Sequence, residues 1–169
     1  MTRTVHTTID SPLGELLLVG EESATAPGGL ALRSLSMAGQ KGAVRIQDDW
    51  SAAPAAFAEV AEQLRGYFAG QRGDFSLELR TRGTAFQERV WQAIDGIPYG
   101  STTSYGRLAE RIGATRAAVR AVGTATVANP LLILRPCHRV VGADGSLTGY
   151  AAGLERKRYL LALEGATAA

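Results

Sequence analysis

The sequence lacks the residues that would fasten it covalently or through a metal. Among 169 residues it has one cysteine, Cys137, and two histidines, His6 and His138. A single thiol cannot close an intrachain disulfide, and in a reducing compartment it stays a thiol. One cysteine and two histidines, with no C-x-x-C pair, fall short of the ligand set of a structural zinc site. Long apolar runs are also missing: none approaches the ~20 residues that span a bilayer, and residues 1–10 are too polar for a secretory leader. The chain is therefore expected in the cytoplasm and off the membrane. What is present is ordinary globular composition, 46% hydrophobic and 20% charged, enough for one large domain or two small ones.

The net charge is only +2, but it is unevenly distributed. Residues 1–83 carry eight Lys or Arg against ten Asp or Glu, and residues 84–169 carry ten against six, so the halves stand at −2 and +4. A basic half that holds Cys137 suits an anionic partner.

The first half reads as a small sheet followed by a helix. Residues 4–9 and 15–19 are β-rich runs around the turn Asp10-Ser11-Pro12-Leu13-Gly14, and residues 30–37 alternate as a third strand after a polar loop over 21–29. From Pro54, a helix places Phe57, Val60, Ala61, Leu64, Tyr67 and Phe68 on one face, and Gly70 ends it. Phe75, Leu77 and Leu79 alternate with polar residues, so a short extended piece is expected there. His6 falls in a strand and reads as structural or surface.

A boundary falls near residues 80–84, giving a domain over 1–82 and another over 83–169. Thr84 caps a helix with Phe86, Val90, Trp91 and Ile94 on its inner face, ended by Ile97-Pro98-Tyr99-Gly100. Thr103 or Ser104 caps a second helix bearing Tyr105, Leu108 and Ile112, and Gly113 stops it. A third opens at Thr115, with Val119, Val122 and Thr126 inward, until Asn129-Pro130 breaks it. Two short helices joined through a glycine turn in a basic half match a helix-turn-helix. On the third helix Arg116 and Arg120 lie four residues apart, among Ala117, Ala118, Ala121, Gly123 and Ala125. That face is bare enough for a phosphate backbone or a groove, although alanine is also simply a good helix former.

Cys137 and His138 adjoin in Pro136-Cys137-His138-Arg139-Val140, after the apolar run Leu131–Leu134. A thiolate is a strong nucleophile and an imidazole is the usual means of generating one, although a lone cysteine is often a buried small hydrophobe. An extended segment would point the two side chains apart and leave room for a water between them. Gly142–Ser146 reads as a tight turn of a short hairpin or wing, followed by the small-residue loop Gly149–Gly153. A last helix over 154–164 has Arg156, Lys157 and Arg158 as a basic patch and Leu160, Leu161 and Leu163 inward. Glu164 in its last turn opposes the helix dipole, a mismatch that suggests work elsewhere, such as orienting a histidine. Cys-His-Glu would equally serve a thiol hydrolase, and a winged-helix regulator could carry the cysteine incidentally.

In order and in register, Ser104-Tyr105, Arg120-Ala121-Val122-Gly123, Asn129-Pro130, Pro136-Cys137-His138-Arg139-Val140, Gly149-Tyr150 and Leu163-Glu164-Gly165 resemble the O6-alkylguanine-DNA alkyltransferases. The resemblance runs from about Thr84 to Gly165. It implies an α/β chain: an N-terminal domain of ribonuclease-H-like shape, a small sheet plus helix, and a mainly helical C-terminal domain with a winged helix-turn-helix. It further implies irreversible transfer of an alkyl group from O6 of guanine, and also O4 of thymine, in double-stranded DNA to Cys137, with no cofactor. The same resemblance implies a protein that is monomeric in the absence of DNA.

By the same resemblance, His138 is the base acting through water, Glu164 orients it, Asn129 braces the cysteine turn, and Tyr105 donates a proton to the leaving guanine. Arg120 fills the space of a flipped nucleotide. Arg116, Tyr105, Ala121 and Gly123 meet DNA, and Val140, Tyr150, Ala151 and Ala152 line the pocket. The chain departs from the pattern in residues 124–128, which lack glycine and basic character, at Arg135, usually apolar, and at Ala152, where many relatives have glycine.

Overall fold

Ser11 and Gly14 exchange backbone hydrogen bonds (3.1 and 3.0 Å) across a turn in which Gly14 takes φ 98°, and this turn joins the first two strands. Strands β1 (Thr4–Ile9), β2 (Leu16–Glu22) and β3 (Leu30–Met37) form an antiparallel meander. Two short strands pair in parallel at its edges: β4 (Ser51–Ala52) beside β1 and β5 (Glu78–Leu79) beside β3. The resulting order is β4-β1-β2-β3-β5. The structure is a computed structural model that describes residues 2–166, and the chain divides into two units, Met1–Thr81 and Arg82–Ala169.

Strand β2 runs past the expected end at Val19 because its pairing with β3 continues beyond a bulge. The register passes from Val19↔Ser34 to Gly20↔Leu32, leaving Arg33 as the extra residue. Glu21, thereby kept in the sheet, is buried against Arg33 (3.5 Å) and Arg80 (3.4 Å). The expected helix from Pro54 begins as one 3-10 turn, Pro54–Phe57, before helix α1 (Ala58–Phe68). Phe57, Val60, Leu64 and Tyr67 are buried at the expected spacing, whereas Ala61 and Phe68 are half-buried. Gly70 takes φ 74° and closes the helix, its N–H donating to the Tyr67 carbonyl. Gln63, buried on α1, bonds both backbone groups of Ser76 (2.9 and 3.3 Å) and so holds the chain leading into β5.

In the second unit, Thr84 and Gln87 form a capping box that starts helix α2 (Ala85–Asp95). Strand β6 (Thr103–Ser104) leads into α3 (Tyr105–Arg111), which the Ser104 side chain caps by accepting from Arg107 N at 3.1 Å. A 3-10 turn, Arg116–Ala118, precedes α4 (Val119–Val127). Helices α2, α3 and α4 pack together around Val90, Trp91, Ile94, Leu108 and Val122, and the Trp91 indole N–H donates to the Ala125 carbonyl at 2.9 Å. Ala125, expected on the bare face, is thus in the core, while Val119, expected inward, is half-buried. The expected hairpin around Gly142–Ser146 is not formed. The turn closes through Gly142 N to Ser146 O (2.8 Å), but β7 (Val140–Val141) pairs in parallel with β6, and Leu147 and Thr148 form no strand. Helix α5 (Leu154–Leu163) completes the unit, and among the described residues no helix is long and apolar enough to cross a membrane.

Gly20 has no room for a side chain, since a Cβ there would lie 2.8 Å from Leu30 Cδ1 and 2.9 Å from the Ala31 carbonyl oxygen. A backbone carbonyl in a paired strand cannot yield as a side-chain tip can. Gly20→Ala should therefore lower stability by about 1–3 kcal/mol, the usual cost of overpacking, as read from the midpoint of urea unfolding.

Candidate functional site

The chain reaches Cys137 through a compact reversal after α4. Leu131, Leu132, Ile133 and Leu134 are all buried, and Ile133 takes φ 70°, a conformation a β-branched residue rarely adopts. Arg135 N donates to Leu131 O (2.9 Å) and Cys137 N to Arg135 O (2.7 Å). Asn129 stands inside this reversal, buried just beyond the α4 C-cap residue Ala128. Its amide nitrogen lies 3.2 Å from each of Leu131 O, Arg135 O and Cys137 Sγ, and its oxygen accepts from Leu131 N at 3.0 Å. The expected bracing residue therefore also touches the sulfur.

Cys137–Arg139 is a 3-10 turn, not the extended segment expected from sequence. It is a turn because the Arg139 N–H is taken by the Pro136 carbonyl (3.0 Å), one residue after Cys137 N has bonded Arg135 O. His138 is fully buried, with Nε2 2.7 Å from Glu164 Oε2. Its Nδ1 has no hydrogen-bond partner among the described residues. Glu164 caps the C-terminal end of α5 and is gripped twice by Arg139, from Nε (2.7 Å) and Nη2 (2.9 Å). Arg139 Nη1 donates to Ile97 O at 2.6 Å. The awkward acid in the last turn is thus half of a buried ion pair that also faces an imidazole.

Lys157 corrects the expectation of a basic patch on α5. It is fully buried, and its ammonium donates to the carbonyls of Val140 (2.6 Å), Thr148 (2.7 Å) and Gly149 (3.2 Å). The phase of the helix carries this information: residues 157, 160, 161 and 164 fall at i, i+3, i+4 and i+7, one inward stripe. Arg139 was visible as part of the cysteine motif, but nothing local tied it to Glu164. Tyr105, at the start of α3, also reaches this loop, its hydroxyl donating to Thr148 O at 2.9 Å while Lys157 lies 6.0 Å from its ring centroid. Tyr150 is buried, and Ala151 and Ala152 are half-buried. Ala152 does not occupy the left-handed region; among the described non-glycine residues only Ile133 does, so the backbone at 152 does not demand glycine.

The remaining expected residues lie on α4 and the 3-10 turn before it. Arg116 and Arg120 are exposed, and no hydrogen bond or ion pair ties either guanidinium to other described residues. Their four-residue spacing does not stack them as on one helix, because Arg116 belongs to the 3-10 turn. Ala121 is exposed on α4, and Gly123 is half-buried beside the Tyr105 ring.

Burial raises the Cys137 thiol to about 11, against the opposing pull of the Asn129 hydrogen bond and the charges of Lys157 and Arg135. Burial likewise pushes the His138 imidazole below its usual range, although Glu164 favours its protonation. At neutral pH the resting pair is therefore thiol and neutral imidazole, and a nucleophile arises only when a proton leaves the sulfur. Burial also lowers the Lys157 amine to about 8, which leaves it mostly charged at neutral pH. Ultraviolet titration of the thiolate, with Cys137→Ser as the blank, should give a midpoint at about 11 instead of the ordinary 9.0, so less thiolate is present at pH 8 than for a free cysteine. Asn129→Ala should move that midpoint higher still; a wild-type midpoint below 9.0 would contradict this account.

Residues 4–81 match the family model for the 6-O-methylguanine DNA methyltransferase ribonuclease-like domain, and residues 85–166 match the model for the DNA binding domain of the same proteins. A methylated-DNA–protein-cysteine methyltransferase from Mycolicibacterium paratuberculosis is 50% identical over 159 residues, which cover 94% of this chain and 91% of that protein. One from Methanosarcina acetivorans is 44% identical over 156 residues, covering 92% and 95%. The crystal structure of Mycobacterium tuberculosis OGT in complex with DNA superposes with a TM-score of 0.85 at 48% identity, covering 95% of this chain and 92% of that one. With both domain models matched in sequence order and the fold shared over nearly its whole length, the chain belongs to the 6-O-methylguanine DNA methyltransferase family.

Proposed function

We propose that the protein repairs alkylated DNA by direct reversal, as a methylated-DNA–protein-cysteine methyltransferase. It moves an alkyl group from O6 of guanine, and from O4 of thymine, in double-stranded DNA onto Cys137 Sγ. The observation that carries this reading is a thiol held by Asn129 in one tight turn with a His138–Glu164 pair. Membership of the family supports the reaction class.

In the step itself the thiol proton passes through a bridging water to His138 Nδ1, since Nε2 already faces Glu164. The imidazolium is stabilised by Glu164, which Arg139 holds in place. Sulfur bonds to the alkyl carbon as the carbon–O6 bond breaks, and the electron pair remains on the guanine. Tyr105 supplies the proton that neutralises the departing base and recovers one from the His138 imidazolium through solvent, so the proton lost from sulfur is balanced by one gained on guanine. The thioether has no route back through these residues, so each molecule reacts once, and the step as written needs no cofactor.

Access to the base requires extrusion of the nucleotide from the stack, at a cost of roughly a few kcal/mol. Helices α3 and α4 act as a winged helix-turn-helix with α4 as recognition helix and the Gly142–Ser146 turn as wing. Arg116 meets phosphate, Ala121 and Gly123 admit the backbone closely, and Arg120 occupies the space of the flipped nucleotide. Val140, Tyr150, Ala151 and Ala152 line the pocket. The uneven charge of the chain and the DNA-bound structure of the Mycobacterium tuberculosis relative support the DNA-binding part of this reading. Residues 1–82 form the ribonuclease-H-like domain and 83–169 the alkyl-acceptor domain, and the protein works in the cytoplasm, as a monomer when no DNA is bound.

Incubated with duplex DNA containing O6-methylguanine, the protein should gain the mass of one CH2 unit, located on Cys137, with product equal to protein consumed. Multiple turnovers, or added mass elsewhere, would overturn the assignment. Cys137→Ser should abolish transfer and retain DNA binding. Arg120→Ala should slow transfer from duplex DNA far more than from the free base O6-benzylguanine, where nothing has to be extruded. Equal losses on the two substrates would assign Arg120 a structural role instead.

A further inference from the structure

Arg135 has no part in the reaction proposed above, yet its setting is specific. It is only 4% exposed and follows four buried apolar residues. Its Nε donates to Asp95 Oδ1 at 3.1 Å, and its guanidinium carbon lies 5.2 Å from the centroid of the Trp91 ring. Trp91 and Asp95 are four residues apart on α2 and so share one face, across which the arginine lies. The Trp91 ring is fixed in turn by its bond to Ala125 O (2.9 Å) on α4. The main chain of Arg135 serves the cysteine directly, because its carbonyl accepts from Cys137 N (2.7 Å) and from Asn129 Nδ2 (3.2 Å).

Packing alone does not account for this choice of residues. Taking a guanidinium out of water is expensive when its partner carboxylate stays 41% exposed, and an apolar residue of similar volume commonly does as well for stability. We propose that Arg135 is a positioning residue for alkyl transfer: clamped to Asp95 and Trp91, it fixes the carbonyl that Asn129 and the Cys137 amide share, and thereby sets where the thiol points. The proposal rests on Cys137 being the alkyl acceptor. The guanidinium acts on the sulfur in a second way, since its charge favours the thiolate in the same direction as Lys157. Its partner carboxylate is itself pushed up by burial and held down by Arg135, with Glu88 on the same helix adding to the rise.

The test compares wild type with the double variant Asp95→Leu/Arg135→Leu, which removes both charges and keeps the space filled, and with Arg135→Lys, which keeps a cation without the guanidinium fork. Single-turnover transfer from O6-benzylguanine, thermal unfolding and thiolate titration are measured on each. The double variant should unfold at or above the wild-type temperature. It should nevertheless transfer about tenfold to a hundredfold more slowly, the loss expected when a reacting group is misplaced by a fraction of an ångström to an ångström. Its thiol should titrate at higher pH, and Arg135→Lys should recover the titration but only part of the rate. A wild-type rate and titration in the double variant would overturn the proposal, as would a rate loss that only accompanies a lower unfolding temperature. A wild type that leaves O6-benzylguanine and alkylated DNA untouched would instead overturn the alkyl-acceptor reading, while the titration would still report whether Arg135 acts on the sulfur.

Discussion

The side-chain amide of Asn129 is the interaction on which the cysteine turn depends. Its nitrogen has fewer hydrogens than the three acceptors around it, two of them main-chain carbonyls and the third the sulfur. The acceptors must share, so the sulfur is held by the same donor that shapes the reversal carrying it. A thiolate accepts more strongly than a thiol, and ionisation of Cys137 would therefore draw that shared donor towards sulfur. The local backbone and the reactive atom are in this sense one hydrogen-bonded object, with the left-handed Ile133 as the place where the chain accommodates it.

Around that turn the second unit buries charges that a simple core would exclude. Lys157, Arg139 and Glu164 are each 6% exposed or less, and each is fully engaged: Lys157 with three carbonyls, Arg139 and Glu164 with one another. Charged side chains reach such burial only when a counter-charge or a full set of hydrogen-bond partners meets them, because an unsatisfied one would cost several kcal/mol. Helix α5 delivers two of them from one stripe, with Leu160 and Leu161 between them supplying the apolar contact. The helix is thus held by hydrophobic burial at its middle and by polar bonds at both ends of the stripe. Those bonds fix the Val140, Thr148 and Gly149 carbonyls on one side and the His138 ring on the other.

What could be read from sequence divides along a physical line. Strands β1 and β3, the cap at Thr84 and the glycine stop at Gly70 depend on residues within a few positions of each other and lie as expected, and of the two candidate caps Thr103 and Ser104 it is Ser104 that caps α3. Non-local choices were less legible. Val140–Val141 selected Thr103–Ser104 as a parallel partner over the nearby Leu147–Thr148, and no local pattern announces that pairing. Arg33 as a bulge residue and the Cys137–Arg139 turn also follow from bonds made at a distance. Lys157 is a different case: its helical phase was on the page, but a run of three basic residues suggested a surface. Glu164 was flagged by its conflict with the helix dipole, and that conflict is resolved by Arg139 and His138.

The burial of Cys137, at 2% exposure, bears on how such a protein survives until it is needed. A molecule that can be used once is lost if its sulfur meets the wrong electrophile or an oxidant first. Keeping the sulfur protonated and covered makes random chemical wastage slow, because the reactive thiolate is scarce and most reagents cannot approach. The same cover slows the intended reaction unless the substrate itself brings the means of reaching it. Selectivity at this site is then a matter of admission before it is one of chemistry: the thiol stays dormant towards the surrounding solution and becomes a nucleophile only for a guest that fits.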